Sequence, residues 1–369
     1  MPKVAAGHST GFAESGIALR RVDGKLNLIT GSHRYSGDAL YEVEVPTEFS
    51  KDAAKWPEAK IVKEWGNVYQ GKKTTKGGAE QGWTHGLHYD RRTDRLYYSY
   101  GSWYNIPPTN DPSLGFITFE GIKSATVNGG AWKAPNNDAH NQKIRGGSLT
   151  IPDWFAKGYL GGRNLGLGFG GYYSGFAGCS KGLHLTAAFQ PNDAKYDLDV
   201  ITLIDHQATV DQPERWGVRG LDYRDDMDWS PKPTGDRGFW CGMDEVFGGA
   251  VWIDLPDKHG VLFASTMGQG RVWYEFGDRH SERKQAYWWV YDPMKLADVA
   301  LGKKKPWENV PSYWKIDYTP KPISSPTFDM FRTPGIAFDP ETRTLFVLAI
   351  GSYKDGTEWY PLVHAYKVK

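Results

Sequence analysis

The chain predicts an all-β fold, a β-propeller in which residues 1–369 form one domain, and three observations carry that prediction. A phrase of the form Gly-apolar-x-apolar, turn, apolar strand recurs five times along the chain, and repetition of strands and turns at this length marks a radial or solenoid array. Turn-forming residues are abundant, with 44 Gly and 22 Pro, and strand-favouring aromatics are too, with 16 Trp, 21 Tyr and 16 Phe. No segment carries a long helical period. Met294 to Lys304 reads as a short helix and Ile151 to Lys157 as one helical turn.

Each repeat reads as four strands, A to D. In the first, A is Ile17 to Val22, Asp23-Gly24 is a hairpin turn, B is Leu26 to Thr30, C is Leu40 to Val45 and D is Lys60 to Trp65. The second copy opens at Gly86-Leu87-His88-Tyr89, turns at Arg91-Arg92-Thr93-Asp94, and continues through Leu96 to Tyr100, Phe116 to Phe119 and Ala131 to Lys133. The third is weaker. Its A strand is expected at Gly175 to Cys179, B from Leu183, C over Asp197 to Ile204 and D over Arg215 to Tyr223. The fourth turns at Pro256 to His259, with C at Ala286 to Tyr291 and D at Tyr313 to Tyr318. The fifth opens at Gly335-Ile336-Ala337-Phe338 and stops after C, Leu362 to Val368.

A sheet edge left open is an aggregation liability, so the missing fourth strand is expected from Pro2 to Ala6, closing the last blade. Five blades fit the usual range of about four to eight. Two more, hidden in 120–170 and 205–240, would make seven. The segment from Lys123 to Gly171 departs most from the repeat, and its glycine-rich end reads as a loop over a blade. It lacks Gly-Lys-Ser/Thr and a βαβ context, so a nucleotide loop is excluded.

Lys and Arg total 44 against 43 Asp and Glu, so no global field attracts nucleic acid or an anionic membrane. No apolar run reaches the roughly 18 residues of a membrane helix. The start, Met1 to Ala6, has no hydrophobic signal region. A secreted or periplasmic setting with the leader removed is expected, with a cytosolic one left open. Cys179 and Cys241 can pair or stay free. Asp225, Asp226 and Asp228 offer a possible structural calcium site without EF-hand spacing, and no zinc pattern or serine elbow is present. No cofactor is required, and the oligomeric state is open.

In a four-stranded blade, the start of A and the B–C loop share one face, and the A–B turns occupy the other. The A–B turns here are short and charged, as a solvated face would be. The opposite loops are longer and rich in aromatics, His and Arg, which selects that face for function. Residues just before each A strand should ring the axis: Glu14, then Trp83 and His85, Tyr173, Asp244 and Glu245, and Arg332. Glu14 and Glu245, with Asp244 in reserve, can serve as acid and base or nucleophile on a glycosidic bond. His85, Tyr173 and Arg332 can instead neutralise a uronate and abstract the proton beside it, a β-elimination. His33, Arg34, Trp103, Tyr104, Gln269, Arg271, Trp273, Tyr274 and His280 sit in the B–C loops and are expected to contact substrate, the last five in one long polar-aromatic loop from Gly268 to His280.

With its five four-stranded repeats, the chain resembles the five-bladed propellers of carbohydrate-active enzymes, such as the arabinanase and fructosidase groups. That resemblance implies catalytic carboxylates on innermost strands near the axis, where Glu14 and Glu245 are expected. No family motif transfers residue by residue. The expected activity is hydrolysis of a polysaccharide or oligosaccharide in the axial cleft. The alternatives are a uronate-dependent polysaccharide lyase and a glycan-binding propeller without catalysis. Five unlike loops favour one composite site over five equivalent lectin pockets.

Overall fold

The computed structural model describes residues 16–32, 39–57, 59–69, 83–101, 112–133, 146–169, 183–191, 197–205, 245–275, 278–318, 332–355 and 358–369. They form five antiparallel sheets, each a meander in chain order. The first is β1 (Ile17–Val22), β2 (Lys25–Gly31), β3 (Leu40–Glu44) and β4 (Lys60–Gly66). The second is β5 (Trp83–Asp90), β6 (Arg95–Gly101), β7 (Leu114–Glu120) and β8 (Ser124–Trp132). The third is β9 (Gly147–Thr150), β10 (Leu165–Gly168), β11 (His184–Ala188) and β12 (Val200–Asp205). The fourth is β13 (Glu245–Leu255), β14 (Lys258–Glu275), β15 (Asp278–Tyr291) and β16 (Ser312–Ile316). The fifth has three strands, β17 (Arg332–Asp339), β18 (Thr344–Asp355) and β19 (Glu358–Lys367). Two short helices, α1 (Asp153–Tyr159) and α2 (Pro293–Ala300), lie in the third and fourth repeats.

The first strand of each sheet touches the first strands of its neighbours all the way round, so the protein is a five-bladed β-propeller with β1, β5, β9, β13 and β17 innermost. Five apolar clusters fill the five seams between blades. Leu40, Leu96 and Tyr98 pack between the first and second blades, and Phe116, Trp132 and Leu165 between the second and third. Phe155, Trp252 and Phe263 join the third and fourth, and Val251, Leu262 and Val347 the fourth and fifth. Ile17, Leu28, Ala337 and Phe346 close the ring. Large aromatics do most of this filling, Tyr97, Tyr98, Tyr287 and Trp289 among them, all fully buried.

The recurring glycine has a steric cause. A Cβ on Gly335 would lie 2.5 Å from the backbone nitrogen of Ile17, and one on Gly249 would lie 2.6 Å from that of Ile336. One on Gly16 would lie 2.8 Å from the nitrogen of Leu87, and one on Gly86 would meet the Cα of Gly147. Neighbouring inner strands therefore approach backbone to backbone at these glycines, and any side chain there would hold the blades apart. The ladder shifts register at the same level, between Thr84 and Leu87, Phe247 and Gly249, and Arg332 and Gly335. The Gly86 amide, displaced from the ladder, donates to Ser99 Oγ at 2.8 Å.

The third blade departs from expectation. Its inner strand is Gly147–Thr150, and its second, Leu165–Gly168, comes from the glycine-rich stretch expected to be a loop. The strand beginning near Leu183 is third, and Val200–Asp205 is fourth. The short Gly-Ser-Leu-Thr strand lacks the length that made other copies visible. The expected strands at 175–179 and 215–223 lie outside the described residues, as do Pro2 to Ala6, both cysteines and the 225–228 aspartates. The stretch from Gly268 to His280 is a β-hairpin, not a loop: β14 and β15 keep pairing out to Glu275 opposite Asp278.

Candidate functional site

The glycine contacts fix one level on all inner strands, and the later residues of those strands converge at a second. Ala18, His88, Leu149, Ala250 and Ala337 wall an axial cavity of about 650 Å³ that opens among the A–B turns. The five inner strands thus run in the same sense, beginning at a loop face and ending at this turn face. The cavity has a volume suited to a small ligand, so its chemistry decides what it can do.

Around the cavity and across the same face, ion pairs and hydrogen bonds join the blades. Arg21 donates to Asp339 at 2.7 Å, joining the first blade to the fifth. Arg343 donates to both oxygens of Asp257 at 2.7 and 2.9 Å, joining fifth to fourth. Trp154 Nε1 donates to Asp254 at 3.1 Å, joining third to fourth. Arg92 bridges Asp90, at 3.1 Å, and Asp153, at 2.8 Å, joining second to third. Arg91 reaches Glu341 at 3.4 Å. Arg20, buried over the Phe119 ring, donates to the Gly121 carbonyl at 2.7 Å and pairs with Glu42 at 3.2 Å. The turns expected to form a merely solvated face are ionic staples between blades.

Among the described turn-face groups, Asp90, Asp153 and Asp257 are held below the ordinary carboxylate range. Burial pushes the Asp90 carboxyl up, but bonds and charge from Arg92 outweigh it and hold the carboxyl below its ordinary range. Asp153 is lowered by Lys157 and Arg92. His88, whose Nε2 lies 2.8 Å from Thr150 Oγ1, is driven by burial from 6.5 to about 4 and is neutral at pH 7. A glycosidic acid needs a carboxyl kept protonated near neutral pH. This circuit went unseen in the sequence, although the A–B turns and strand ends carry the acids and arginines that build it.

At the loop face, three of the expected residues precede the contact glycines of their inner strands, one to four residues before them. His85 precedes Gly86 on β5, Glu245 begins β13 and Arg332 begins β17. Trp83 begins β5. All four lie on the far side of the glycine level from the cavity. His85 is buried, and its carbonyl accepts the Gly16 amide at 2.6 Å across the first seam. The side chains of Trp83, Glu245 and Arg332 lie outside the described residues, as do Glu14, Asp244, His33, Arg34, Trp103 and Tyr104. Tyr173 also lies outside them. Its expected place before the third inner strand is corrected by β9, which puts Tyr173 in the stretch between the second and third strands of that blade. Gln269, Arg271, Trp273, Tyr274 and His280 belong to the β14–β15 hairpin, where Trp273 pairs with His280. Their side chains too are outside the described set. Among the described residues no group of three His, Cys, Asp or Glu could hold a metal ion. None of the described helices is long and apolar enough to cross a membrane.

No protein-family model matches the chain, and no curated protein does. Among solved structures it is similar to the Bacteroides ovatus xyloglucan PUL GH43B, at 10% identity and a TM-score of 0.40, covering 96% of this chain and 53% of that one. The chain therefore spans about half the length of that protein. It is also similar to the catalytic domain of Coprinopsis cinerea GH62 α-L-arabinofuranosidase, at 12% identity and a TM-score of 0.41, covering 98% of this chain and 92% of that one. A third, a protein from Lactobacillus plantarum, is 9% identical with a TM-score of 0.29, covering 96% and 71%. The five-bladed ring itself is read from the strand order and the five filled seams.

Proposed function

We propose that the protein is an exported glycoside hydrolase that cleaves a polysaccharide or oligosaccharide at the loop-face mouth of the propeller axis. The observation that supports this reading is the arrival of unlike chemistry, His85, Glu245 and Arg332, at the leading ends of three separate inner strands. A glycosidic bond needs two carboxyl groups with different roles across one cleft. Glu245 and Glu14, which precedes β1 by three residues, are assigned those roles, with Asp244 in reserve. One protonates the departing glycosidic oxygen. The other either takes the proton from the attacking water or attacks the anomeric carbon itself. His85 and Arg332 hold hydroxyl or carboxylate groups of the substrate, and the β14–β15 hairpin carries Trp273 and Tyr274 as sugar platforms. Side chains and water suffice for this reaction.

The test is a panel of neutral and uronate-containing polysaccharides, read both for reducing ends and for ultraviolet absorbance. The parent protein should release reducing ends without absorbance. Glu245→Gln and Glu14→Gln should each lower kcat by about 10³-fold or more, as loss of an acid or base group does. Unchanged turnover in both variants discards the reading. A rise in absorbance that His85→Ala removes would replace it with β-elimination, and glycan binding without any product would replace it with a lectin.

A further inference from the structure

The axial cavity at the turn face has a chemical bias that neither the blade seams nor the proposed reaction uses. Its walls are largely apolar, with Ala18, Leu149, Val251, Trp252, Ile336 and Phe338 among them. His88 and Thr150 also line it, but they bond to each other at 2.8 Å and carry no charge at pH 7. Charge is confined to the mouth, where acids and cations cancel almost one for one. Arg21 pairs with Asp339, Arg91 with Glu341, Arg92 with Asp90 and Lys157 with Asp153. Asp254 departs from this pattern. It accepts from the Trp154 indole at 3.1 Å and lies 2.7 Å from His259 Nδ1, and both contacts fall on Oδ1. No lysine or arginine among the described residues pairs with it. Its side chain is 35% exposed. Strand alternation puts Trp252 and Asp254 on one face of β13, turned to the third blade, where Phe155 packs on Trp252 at 4.8 Å. Helix α1 carries Trp154 beside them, 41% exposed and edge-on to His259.

We propose that the turn-face end of the axis is a binding site for a small organic amine, its apolar body in the cavity and its ammonium group on Asp254. The shape and the charge each narrow the ligand. At about 650 Å³ the cavity falls in the range of small-molecule sites, and its apolar walls favour a body of one or two rings. An anion finds no cation to meet it, because each arginine at the mouth is already held by a carboxylate. A neutral body gains the walls alone. An ammonium group gains the walls and a charge-assisted hydrogen bond to Asp254, whose Oδ2 is turned away from neither lysine nor arginine because none competes for it. The contact glycines stand between this cavity and the leading ends of the inner strands, so the amine site is separate from the loop-face reaction and does not require it.

Calorimetric titration of the full chain at pH 7 tests the proposal. The probe is 2-phenylethylamine, set against 2-phenylethanol and 3-phenylpropionate, which keep the body and change the charge, and against methylamine, which keeps the charge and lacks the body. The amine should bind about tenfold more tightly than each of the three, as a charge-assisted bond added to apolar burial allows. Asp254→Asn keeps an oxygen for the Trp154 indole and removes the charge, so it should bring 2-phenylethylamine and 2-phenylethanol to within about twofold of each other. Glu245→Gln, at the loop face, should leave amine binding unchanged, which separates this site from the proposed hydrolysis. Equal affinities for amine and alcohol in the parent protein would overturn the proposal, as would tighter binding of the carboxylate or of methylamine. No amine binding at about 10 mM would overturn it too. So would a preference for the amine that survives Asp254→Asn, or amine binding that Glu245→Gln abolishes.

Discussion

At the residue scale, glycine carries two opposite meanings that only its surroundings separate. Gly86 and Gly335 sit where the backbones of two blades meet, so a methyl group has no place to go. Gly86→Ala and Gly335→Ala should each cost about 3 kcal/mol or more, because the obstruction is backbone and cannot rotate away. Gly158, exposed within α1, has nothing within 4 Å of its would-be Cβ. Gly158→Ala should stabilise by about 0.5–1 kcal/mol through lower unfolded-state entropy and better helix propensity. Urea midpoints of the three variants check both signs. Equal midpoints would mean the inner glycines do not set the blade spacing. The repeated glycine was visible in the sequence, but its reason was not, since the atoms that exclude a Cβ belong to the next repeat.

At the element scale, β14 and β15 keep their pairing well past the inner strand of their own blade. Glu245 on the inner strand pairs with Met267, and β14 continues from Gly268 to Glu275 beyond the end of that pairing. The β18–β19 hairpin likewise pairs out to Asp355 and Glu358. Trp273→Ala should leave the melting temperature nearly unchanged while raising KM for an oligosaccharide about tenfold, the effect of losing one aromatic platform. A large fall in melting temperature would instead make Trp273 a packing residue. The polar-aromatic character of this stretch was legible, but its strand state was not, because the alternation of strands is interrupted by a register shift between Gln269 and Val272.

At the scale of the whole molecule, the ring is held by apolar seams inside and by ionic staples on one face. Exposed staples such as Arg91 to Glu341 contribute little singly. Arg20 and Glu42 differ, because both are buried and Glu42 also accepts from Asn27 at 2.8 Å. Arg20→Met leaves that carboxylate without its cation and should cost about 3 kcal/mol or more, while Arg20→Met with Glu42→Met should recover most of the loss. Denaturant unfolding of the single and double variants measures both. A single variant as stable as the parent would show that the first seam does not depend on this pair.

Four of the five inner strands, the hairpin turn at Asp23-Gly24 and the positions of β2, β3 and β4 follow from local pattern alone, because period-two burial and turn chemistry are written within a few neighbouring residues. The Asp23 and Gly24 backbones both take positive φ, 50° and 78°, as that turn demands. The third blade followed another rule. Its inner strand is four residues long and shows its role only when Gly147 is set against Gly86 of the blade before it. The division between a turn face of paired charges and a loop face where the inner strands begin is likewise a property of the closed ring. It depends on contacts between residues far apart in the chain, such as Arg21 with Asp339, 318 positions apart, and a pattern read along one repeat holds no information about what the neighbouring repeat brings to meet it.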